Sequence, residues 1–256
     1  MYVRPKKRLG QHFLTDMSVA QRIAAALSVS YCNKTLEIGP GTGVLTQFLL
    51  AREDIELCAV EVDSESVEYL KVEFPQLNLI EADFLEMNFE GEFFERFNVV
   101  GNFPYNISSQ IFFRILENRN RVPEVVCMLQ REVAVRLAAG PGGRDYGILS
   151  VLLQTYYDIE YLFTVSEGVF NPPPKVKSGV IRLVRNSRTE LPCDELLFFK
   201  IVKATFNQRR KTIRNSLKSL FPQLSSEHKY YSLRPEVLSC DQFIELTQWV
   251  ENQIKD

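Results

Sequence analysis

Over its first two-thirds the chain alternates short apolar runs, rich in β-branched residues, with amphipathic stretches of helical periodicity. This alternation is typical of a parallel sheet covered by helices. The runs predicted to form strands are Thr35–Ile38, Glu56–Glu61, Leu77–Glu81, Asn98–Gly101 and Val125–Gln130. The stretches predicted to form helices are Val44–Ala51, Ser64–Phe74 and Ser108–Glu117, with Ser64 and Ser108 as N-caps of the last two.

The pattern changes after Gly147. A helix is predicted over Ile148–Tyr156, followed by strands over Tyr161–Val165 and Gly179–Val184 that form an antiparallel edge. Helical periodicity then continues to the end, over the stretches Asp194–Phe206, Arg209–Phe221 and Cys240–Ile254. We therefore predict an α/β domain over residues 1–187, with a mostly parallel sheet and helices on both faces, and a small all-α domain over residues 188–256.

Composition excludes several classes of protein. No apolar run approaches the roughly 18 residues that a membrane span needs, and no apolar segment of a secretory signal follows the basic N-terminus. Five scattered cysteines without a C-x-x-C pair, and only two histidines, argue against a disulfide framework or a metal site. The sequence predicts a cytoplasmic protein without a metal, and a monomer by default because nothing indicates an oligomer.

Charge is distributed unevenly, although the net charge is only −2. Between residues 51 and 100 a long series of acidic residues is opposed only by Arg52, Lys71 and Arg96. Between residues 171 and 218 lysine and arginine predominate instead. The asymmetry predicts one acidic face and one basic face, the second suited to phosphates. Solvated surface charge would explain any one of these clusters alone.

A glycine loop follows the first predicted strand, with Gly39, Gly41 and Gly43 spaced as G-x-G-x-G. Glycine lets the backbone approach a ligand closely, and the helix beyond the loop favours an anion at its N-terminus. Glu61 ends the next strand and is suited to accept hydrogen bonds from ribose hydroxyls, while Asp83 follows the third and could receive an adenine amino group. Each carboxylate alone is more simply a solvated loop residue, but the ordered set predicts a nucleotide-type site at the carboxyl ends of the strands.

The fourth strand ends in the segment Asn102-Phe103-Pro104-Tyr105. A base amine is a poor nucleophile because its lone pair is delocalised into the ring. Hydrogen bonds accepted by the Asn102 side chain and by the carbonyl of Phe103 would direct that lone pair toward a methyl donor. Tyr105 is suited to stack on a base that has swung out of its helix. The alternative is an Asn-x-Pro turn beside a core tyrosine.

Together these residues resemble the Class I S-adenosylmethionine methyltransferases, and within them the KsgA-type small-subunit rRNA adenine dimethyltransferases. The resemblance covers nearly the whole chain. Its motifs are Lys7–Leu14, Glu37–Thr46, Glu61–Asp63, Ala82–Asp83, Gly101–Ser108, Met128–Val133, Phe170–Val176 and Phe206–Leu217. The last two are the most specific, since glycine loops occur in many unrelated enzymes.

The resemblance implies a role for each matching residue. The residues implied to bind S-adenosylmethionine are His12, Leu14, Gly39, Gly41, Glu61, Asp83 and Asn102. Asn102 and Phe103 would orient the target amine, and Tyr105 and Phe170 would sandwich the target base. The residues implied to bind the rRNA backbone are Arg209, Arg210, Lys211 and Arg214. The implied substrate is a pair of adjacent adenines near the 3′ end of 16S rRNA in an immature 30S subunit, each methylated twice.

The chain departs from the family pattern at three positions: His12 replaces a frequent Asn, Phe103 a frequent Leu, and Lys177 a frequent acidic residue. Three alternatives stay open. An Erm-type enzyme performs the same chemistry on large-subunit rRNA, an assembly factor would bind the immature subunit without needing catalysis, and DNA adenine methyltransferases share the reaction. The last usually place Asp ahead of Pro-Pro-Tyr and carry an insertion absent here.

Overall fold

The apolar runs form a seven-stranded sheet, in a computed structural model that describes residues 3–225 and 227–255. Two further strands, β1 and β8, pair separately from this sheet. In chain order the strands are β1 (Phe13–Leu14), β2 (Lys34–Ile38), β3 (Glu56–Glu61), β4 (Asn78–Glu81), β5 (Asn98–Asn102), β6 (Glu124–Gln130), β7 (Tyr157–Val165), β8 (Phe170–Asn171) and β9 (Ser178–Arg185). The sheet order is β4-β3-β2-β5-β6-β9-β7; its first five strands are parallel and β9 is antiparallel to β6. The predicted mostly parallel sheet with an antiparallel edge is confirmed.

Helices flank this sheet and make up the C-terminal part of the chain. They are α1 (Met17–Ala26), α2 (Thr46–Leu50), α3 (Ser64–Glu73), α4 (Ser108–Glu117), α5 (Arg131–Ala138), α6 (Ile148–Gln154), α7 (Glu195–Asn207), α8 (Ile213–Lys218) and α9 (Cys240–Lys255). The central strands are apolar on both faces, as strands covered on both sides must be. No helix among the described residues is long and apolar enough to cross a lipid bilayer.

The predicted N-caps were wrong by one residue. Asp63, not Ser64, precedes α3, and its carboxylate accepts a hydrogen bond from the amide of Glu65 at 3.4 Å. Ser108 is the first residue of α4, and its hydroxyl donates to the carbonyl of Tyr105 at 3.3 Å instead of capping the helix. In each case the residue before the serine, Asp63 or Ile107, has a non-helical backbone and is the N-cap, so the serine lies inside the helix.

The N-terminal segment contributes elements that the periodicity did not predict. Helix α1 is capped by Asp16, whose carboxylate accepts from the amides of Ser18 and Val19 at 2.8 and 3.1 Å. Strand β1 pairs with β8 in a separate antiparallel ladder, with Leu14 opposite Phe170. Two-residue strands are too short for alternation to reveal them.

Two compact units divide the chain, and the division differs from the predicted domain boundary. The first comprises the described residues up to Val135 together with Asp158–Arg185; the second comprises Arg136–Tyr157 and the described residues from Asn186 onward. The segment Arg136–Tyr157 groups with the C-terminal helices because it supplies part of their core. Tyr146 is fully buried, with its ring 6.1 Å from that of Phe206 and its hydroxyl 3.8 Å from the Cys240 thiol.

The helix predicted over Arg209–Phe221 is shorter in the structure. Residues 208–212 form a turn, in which the amide of Lys211 donates to the carbonyl of Gln208 at 2.7 Å, and α8 begins only at Ile213. Arg209, Arg210 and Lys211 therefore lie on the turn between α7 and α8.

We expect Gly101→Ala to destabilise the first unit by about 1–3 kcal/mol, because a Cβ at this position meets the backbone oxygen of Ile38 at 2.5 Å across the β2–β5 ladder. Backbone in the middle of a sheet cannot move aside cheaply. Urea unfolding followed by circular dichroism measures the effect. The control is Gly168→Ala, where nothing lies within 4 Å of the added carbon. Equal stability of the two variants would contradict the expected clash.

Candidate active site

The carboxyl ends of four neighbouring parallel strands meet at one edge of the sheet. The glycine loop follows β2, Glu61 ends β3, Asp83 follows β4 and Asn102 ends β5. A cavity of about 240 Å³ opens at this edge, and all four elements line it. Its remaining walls come from two segments, residues 8–13 and residues 103–107. This is where open α/β sheets bind their ligands.

The glycine loop depends on positive backbone angles. Gly39 and Gly41 have φ values of 66° and 58°, which side chains rarely tolerate. A Cβ on Gly41 would lie 2.9 Å from the ring of Phe13, whereas nothing lies within 4 Å of a Cβ on Gly39. The loop is thus packed against the N-terminal segment at Gly41 and open at Gly39. That open backbone is suited to close approach by a ligand.

Glu61 holds the edge of the cavity together through backbone amides. Its Oε1 accepts from the amides of Val62 and Asp63, each at 2.9 Å, and its Oε2 accepts from the amide of Gly41 at 3.1 Å. Burial raises the pKa of Glu61, although the three backbone hydrogen bonds oppose that rise. The carboxylate therefore fixes the glycine loop to the end of β3 and still presents oxygen lone pairs to the cavity.

Glu37 lies on β2, two residues ahead of the first glycine of the loop. Its side chain is buried, and its Oε2 accepts from the Thr46 hydroxyl at 2.7 Å. Burial raises the pKa of Glu37 to about 8; the Thr46 bond opposes this rise and the charge of Glu61 adds to it. At neutral pH Glu37 is therefore mostly protonated.

This protonation gives a pH-dependent stability. Between pH 4.5 and about 8 the folded protein keeps a proton that the unfolded chain releases, so Glu37 makes stability fall as pH rises through this window. We expect Glu37→Gln to match the parent protein near pH 5 and to exceed its unfolding free energy by on the order of a few kcal/mol near pH 9. Denaturant unfolding across this range measures the difference, with the exposed Glu53→Gln as control. A difference in unfolding free energy between Glu37→Gln and the parent protein that does not change with pH would contradict this prediction.

Asp83 lies in a tight turn beside the cavity. Its Oδ1 accepts from the amide of Leu85 at 2.9 Å, which fixes the carboxylate at the end of the loop after β4. Asp83 is half-buried and lines the cavity together with Phe84 and Leu85. Within the described part of the chain its second oxygen makes no hydrogen bond, so it remains an acceptor for a ligand.

Asn102 is oriented by the N-terminal segment. Its side-chain Nδ2 donates to the carbonyl of His12 at 3.0 Å, which leaves Oδ1 as an acceptor at the cavity wall. The backbone amide of the next residue, Phe103, donates to the carbonyl of Met128 at 2.9 Å and continues the β5–β6 ladder. The end of β5 is therefore rigid where the amide side chain projects.

Tyr105 is hydrogen-bonded to the start of β9. Its hydroxyl lies 2.5 Å from the hydroxyl of Ser178, the first residue of β9. Burial raises the pKa of Tyr105, so the hydroxyl stays protonated. The ring of His12 stacks on that of Tyr105, with centroids 5.4 Å apart, and the His12 Nδ1 lies 2.8 Å from the carbonyl oxygen of Pro172.

A clasp holds the N-terminal segment over the cavity. The Lys6 ammonium forms an ion pair with Asp63, whose second oxygen accepts from the Gln11 side chain at 3.2 Å. Burial would raise the pKa of Asp63, but the hydrogen bonds from Lys6, Gln11 and Ser66 outweigh burial and lower it. Sequence reasoning missed the clasp because its partners are more than 50 positions apart along the chain.

Phe170 does not line the cavity, whereas Leu14 lines a smaller pocket that shares Gly39, Gly41 and Asn102 with it. Leu14 is buried and Phe170 is only 4% exposed; both belong to the apolar core around α1. The structure therefore brings the predicted cofactor residues together, with Leu14 in the smaller pocket and the others around the cavity. It stacks His12, rather than Phe170, on Tyr105.

The basic residues predicted to bind RNA lie in the second unit. Arg209 donates to the carbonyl of Gly143 at 3.0 Å and lies 3.8 Å from a carboxylate oxygen of Glu236, so part of its charge is used within the protein. Arg210, Lys211 and Arg214 are exposed. These three side chains remain available to phosphates.

The chain is similar to known proteins over nearly its whole length. The family described as ribosomal RNA adenine dimethylase matches residues 3–244. Relatives called Ribosomal RNA small subunit methyltransferase A occur in Parabacteroides distasonis, 57% identical over 96% of this chain and 93% of that protein, and in Bacteroides thetaiotaomicron, 55% identical over 99% and 96%.

Two solved structures are similar over most of their length. A dimethyladenosine transferase from Plasmodium falciparum has a TM-score of 0.80 at 22% identity, over 94% of this chain and 98% of that one, which is a likeness of fold. The 23S rRNA methyltransferase ErmE has a TM-score of 0.67 at 25% identity, over 92% and 99%. Since the family match and both relatives span nearly the whole sequence, the chain belongs to the ribosomal RNA adenine dimethylase family.

Proposed function

We propose that this protein transfers methyl groups from S-adenosylmethionine to the exocyclic N6 amines of two adjacent adenines near the 3′ end of 16S rRNA, dimethylating each. It acts as a monomer, in the cytoplasm, on an immature 30S subunit. The observation that carries the proposal is the side chain of Asn102, held at the cavity wall by the His12 carbonyl with its oxygen left as an acceptor.

The cavity fits the proposed cofactor. Gly39 offers an open backbone for the amino-acid end, Glu61 has acceptor oxygens for ribose hydroxyls, and Asp83 has a free acceptor oxygen for the adenine amino group. When bound, S-adenosylmethionine supplies an electrophilic methyl group on a positively charged sulfur. The residues of the chain bind and orient the two reactants around it.

Asn102 prepares the nucleophile. In the first transfer, one N–H of the target amine donates to Asn102 Oδ1 and the other to the carbonyl of Phe103, which draws the nitrogen lone pair out of conjugation and toward the methyl carbon. S-adenosylmethionine held by Gly39, Glu61 and Asp83 would supply the methyl group that this nitrogen accepts. The methylated amine then loses a proton to water. Catalysis rests on orientation and needs no strong general base.

Tyr105 binds the extruded base by stacking, although one face of its ring already carries His12. The base therefore takes the other face or displaces the imidazole. Phe170 completes a sandwich only if its side chain leaves the core, because it is buried in this arrangement. The exposed cations Arg210, Lys211 and Arg214, with Arg209, bind the rRNA backbone in a salt-dependent manner.

The decisive experiment incubates the purified protein with tritiated S-adenosylmethionine and immature 30S subunits that lack adenine methylation. Nuclease mapping and mass spectrometry then locate the label. We expect dimethyladenosine at two neighbouring positions near the 3′ end of 16S rRNA. Label confined to 23S rRNA would assign an Erm-type activity instead. Absence of label, with cofactor binding shown separately, would favour an assembly factor.

A further inference from the structure

The loop of residues 173–177 is held against the candidate active site at both of its ends. On one side the carbonyl oxygen of Pro172 lies 2.8 Å from the His12 Nδ1. On the other side the hydroxyl of Ser178 lies 2.5 Å from that of Tyr105, and Ser178 is completely buried. The two rings thus fixed are the ones stacked on each other beside the cavity. The loop between these two attachments therefore begins and ends beside the mouth of the site, at residues that contact its lining.

This loop presents two unpaired cations. Lys175 and Lys177 are exposed, and neither forms an ion pair with any other described residue. Lys6, by contrast, is neutralised by Asp63. The backbone amide of Arg131 donates to the carbonyl of Lys177 at 2.9 Å, which brings another exposed cation beside the loop. The positive charge at the mouth is therefore not used within the described part of the protein.

A base that enters the cavity leaves its phosphates outside it. Extruding a base from a helix costs a few kcal/mol of stacking and pairing, and contacts made only in the extruded state must offset that cost. Lysine side chains at the mouth are placed to contact the phosphates on either side of the extruded nucleotide, because each is flexible and carries a point charge. Binding phosphates with lysine also releases counterions, which gives salt-dependent affinity.

We propose that Lys175 and Lys177 bind the RNA phosphates that flank the adenine held in the active site. This inference rests on the proposed function, since it assumes an extruded RNA base on Tyr105. It adds a phosphate-binding site in the first unit, separate in sequence from the basic residues around Arg210 in the second. The two lysines position the substrate and take no part in the chemistry.

The test compares the parent protein with Lys175→Ala, Lys177→Ala and the double variant. Affinity for immature 30S subunits is measured by filter binding at several KCl concentrations. We expect each single change to weaken binding about 5- to 10-fold and to reduce the salt slope by about 1. Affinity for S-adenosylmethionine should not change. Lys71→Ala is the matched control, because Lys71 is exposed on α3 and paired with Glu68 of the same helix.

Phosphate-ethylation interference locates the contacts. Ethylated 16S rRNA is reassembled into subunits, and the fraction that binds each variant is analysed. We expect ethylation of the phosphates beside the target adenines to block binding of the parent protein. The same ethylation should no longer affect binding of the Lys177→Ala variant. The Lys177→Arg variant should show the parental interference pattern again. Unchanged affinity and salt slope, or interference lost at distant phosphates only, would overturn the proposal. RNA binding is measured without turnover, so the two proposals can fail separately. If the parent protein does not methylate the subunits, the proposed function is contradicted, and the binding of the lysine variants still tests the phosphate contacts.

Discussion

Replacing Asn102 by alanine is expected to lower the turnover of methyl transfer about 10³-fold, the size of effect seen when a preorganised polar group that acts in the transition state is removed. Affinity for S-adenosylmethionine should stay within a few-fold of the parent value. The reason is that, in the proposed mechanism, Asn102 Oδ1 accepts a hydrogen bond that strengthens as the amine lone pair leaves conjugation, so its contribution is made mainly in the transition state. Single-turnover kinetics and calorimetric cofactor binding separate the two quantities.

The same substitution also removes the hydrogen bond from Asn102 Nδ2 to the carbonyl of His12. A modest loosening of the N-terminal segment is therefore expected, and it would affect cofactor affinity rather than turnover. Asn78→Ala is the control, because Asn78 is an exposed asparagine at the other end of the same sheet. Normal turnover with a large loss of cofactor affinity in Asn102→Ala would show that the residue only holds the N-terminal segment in place.

Glu61→Ala is expected to have the opposite profile and to weaken S-adenosylmethionine binding about 100-fold, which corresponds to about 2.7 kcal/mol. Two losses combine. An acceptor for the cofactor ribose disappears, and the amides of Gly41, Val62 and Asp63 lose their shared partner. Buried amides without partners are costly, so the glycine loop relaxes away from the end of β3. Isothermal calorimetry measures the affinity.

The control for this variant is Glu56→Ala, which removes an exposed carboxylate from the other end of β3. Turnover at saturating cofactor should fall much less in Glu61→Ala than in Asn102→Ala, since the proposed role of Glu61 is to bind the cofactor and not the amine. Parental cofactor affinity in the Glu61→Ala variant would show that Glu61 does not bind the cofactor.

Local patterns predicted the sheet and one wall of the site. Strands buried on both faces are continuous apolar runs, which makes them recognisable in the sequence. Because the strands are parallel, the residues at their carboxyl ends, Gly41, Glu61, Asp83 and Asn102, lie at one edge of the sheet. These elements are short-range features of sequence. Their mutual position follows from the rules that govern parallel sheets.

Contacts between distant segments could not be predicted in the same way. The clasp of Lys6 with Asp63, the pairing of β1 with β8 and the stacking of His12 on Tyr105 join positions between 57 and 158 residues apart. No periodicity encodes such pairs. Phe170 illustrates the consequence, because its motif indicated a place beside the base while its packing with α1 buries it.

The division of the chain into units has a consequence for synthesis on the ribosome. The segment Arg136–Tyr157 emerges early, but its partners in the second unit follow much later, with Phe206 and Cys240 among the contacts of Tyr146. From Tyr157 to Cys240 the ribosome must add 83 residues (240 − 157), which takes roughly 4–17 s at about 5–20 residues per second. During that interval α6, which carries the buried Leu152 and Leu153, lacks some or all of its contacts with α7 and α9. The nascent chain thus offers chaperones a hydrophobic segment in mid-sequence that the finished protein conceals.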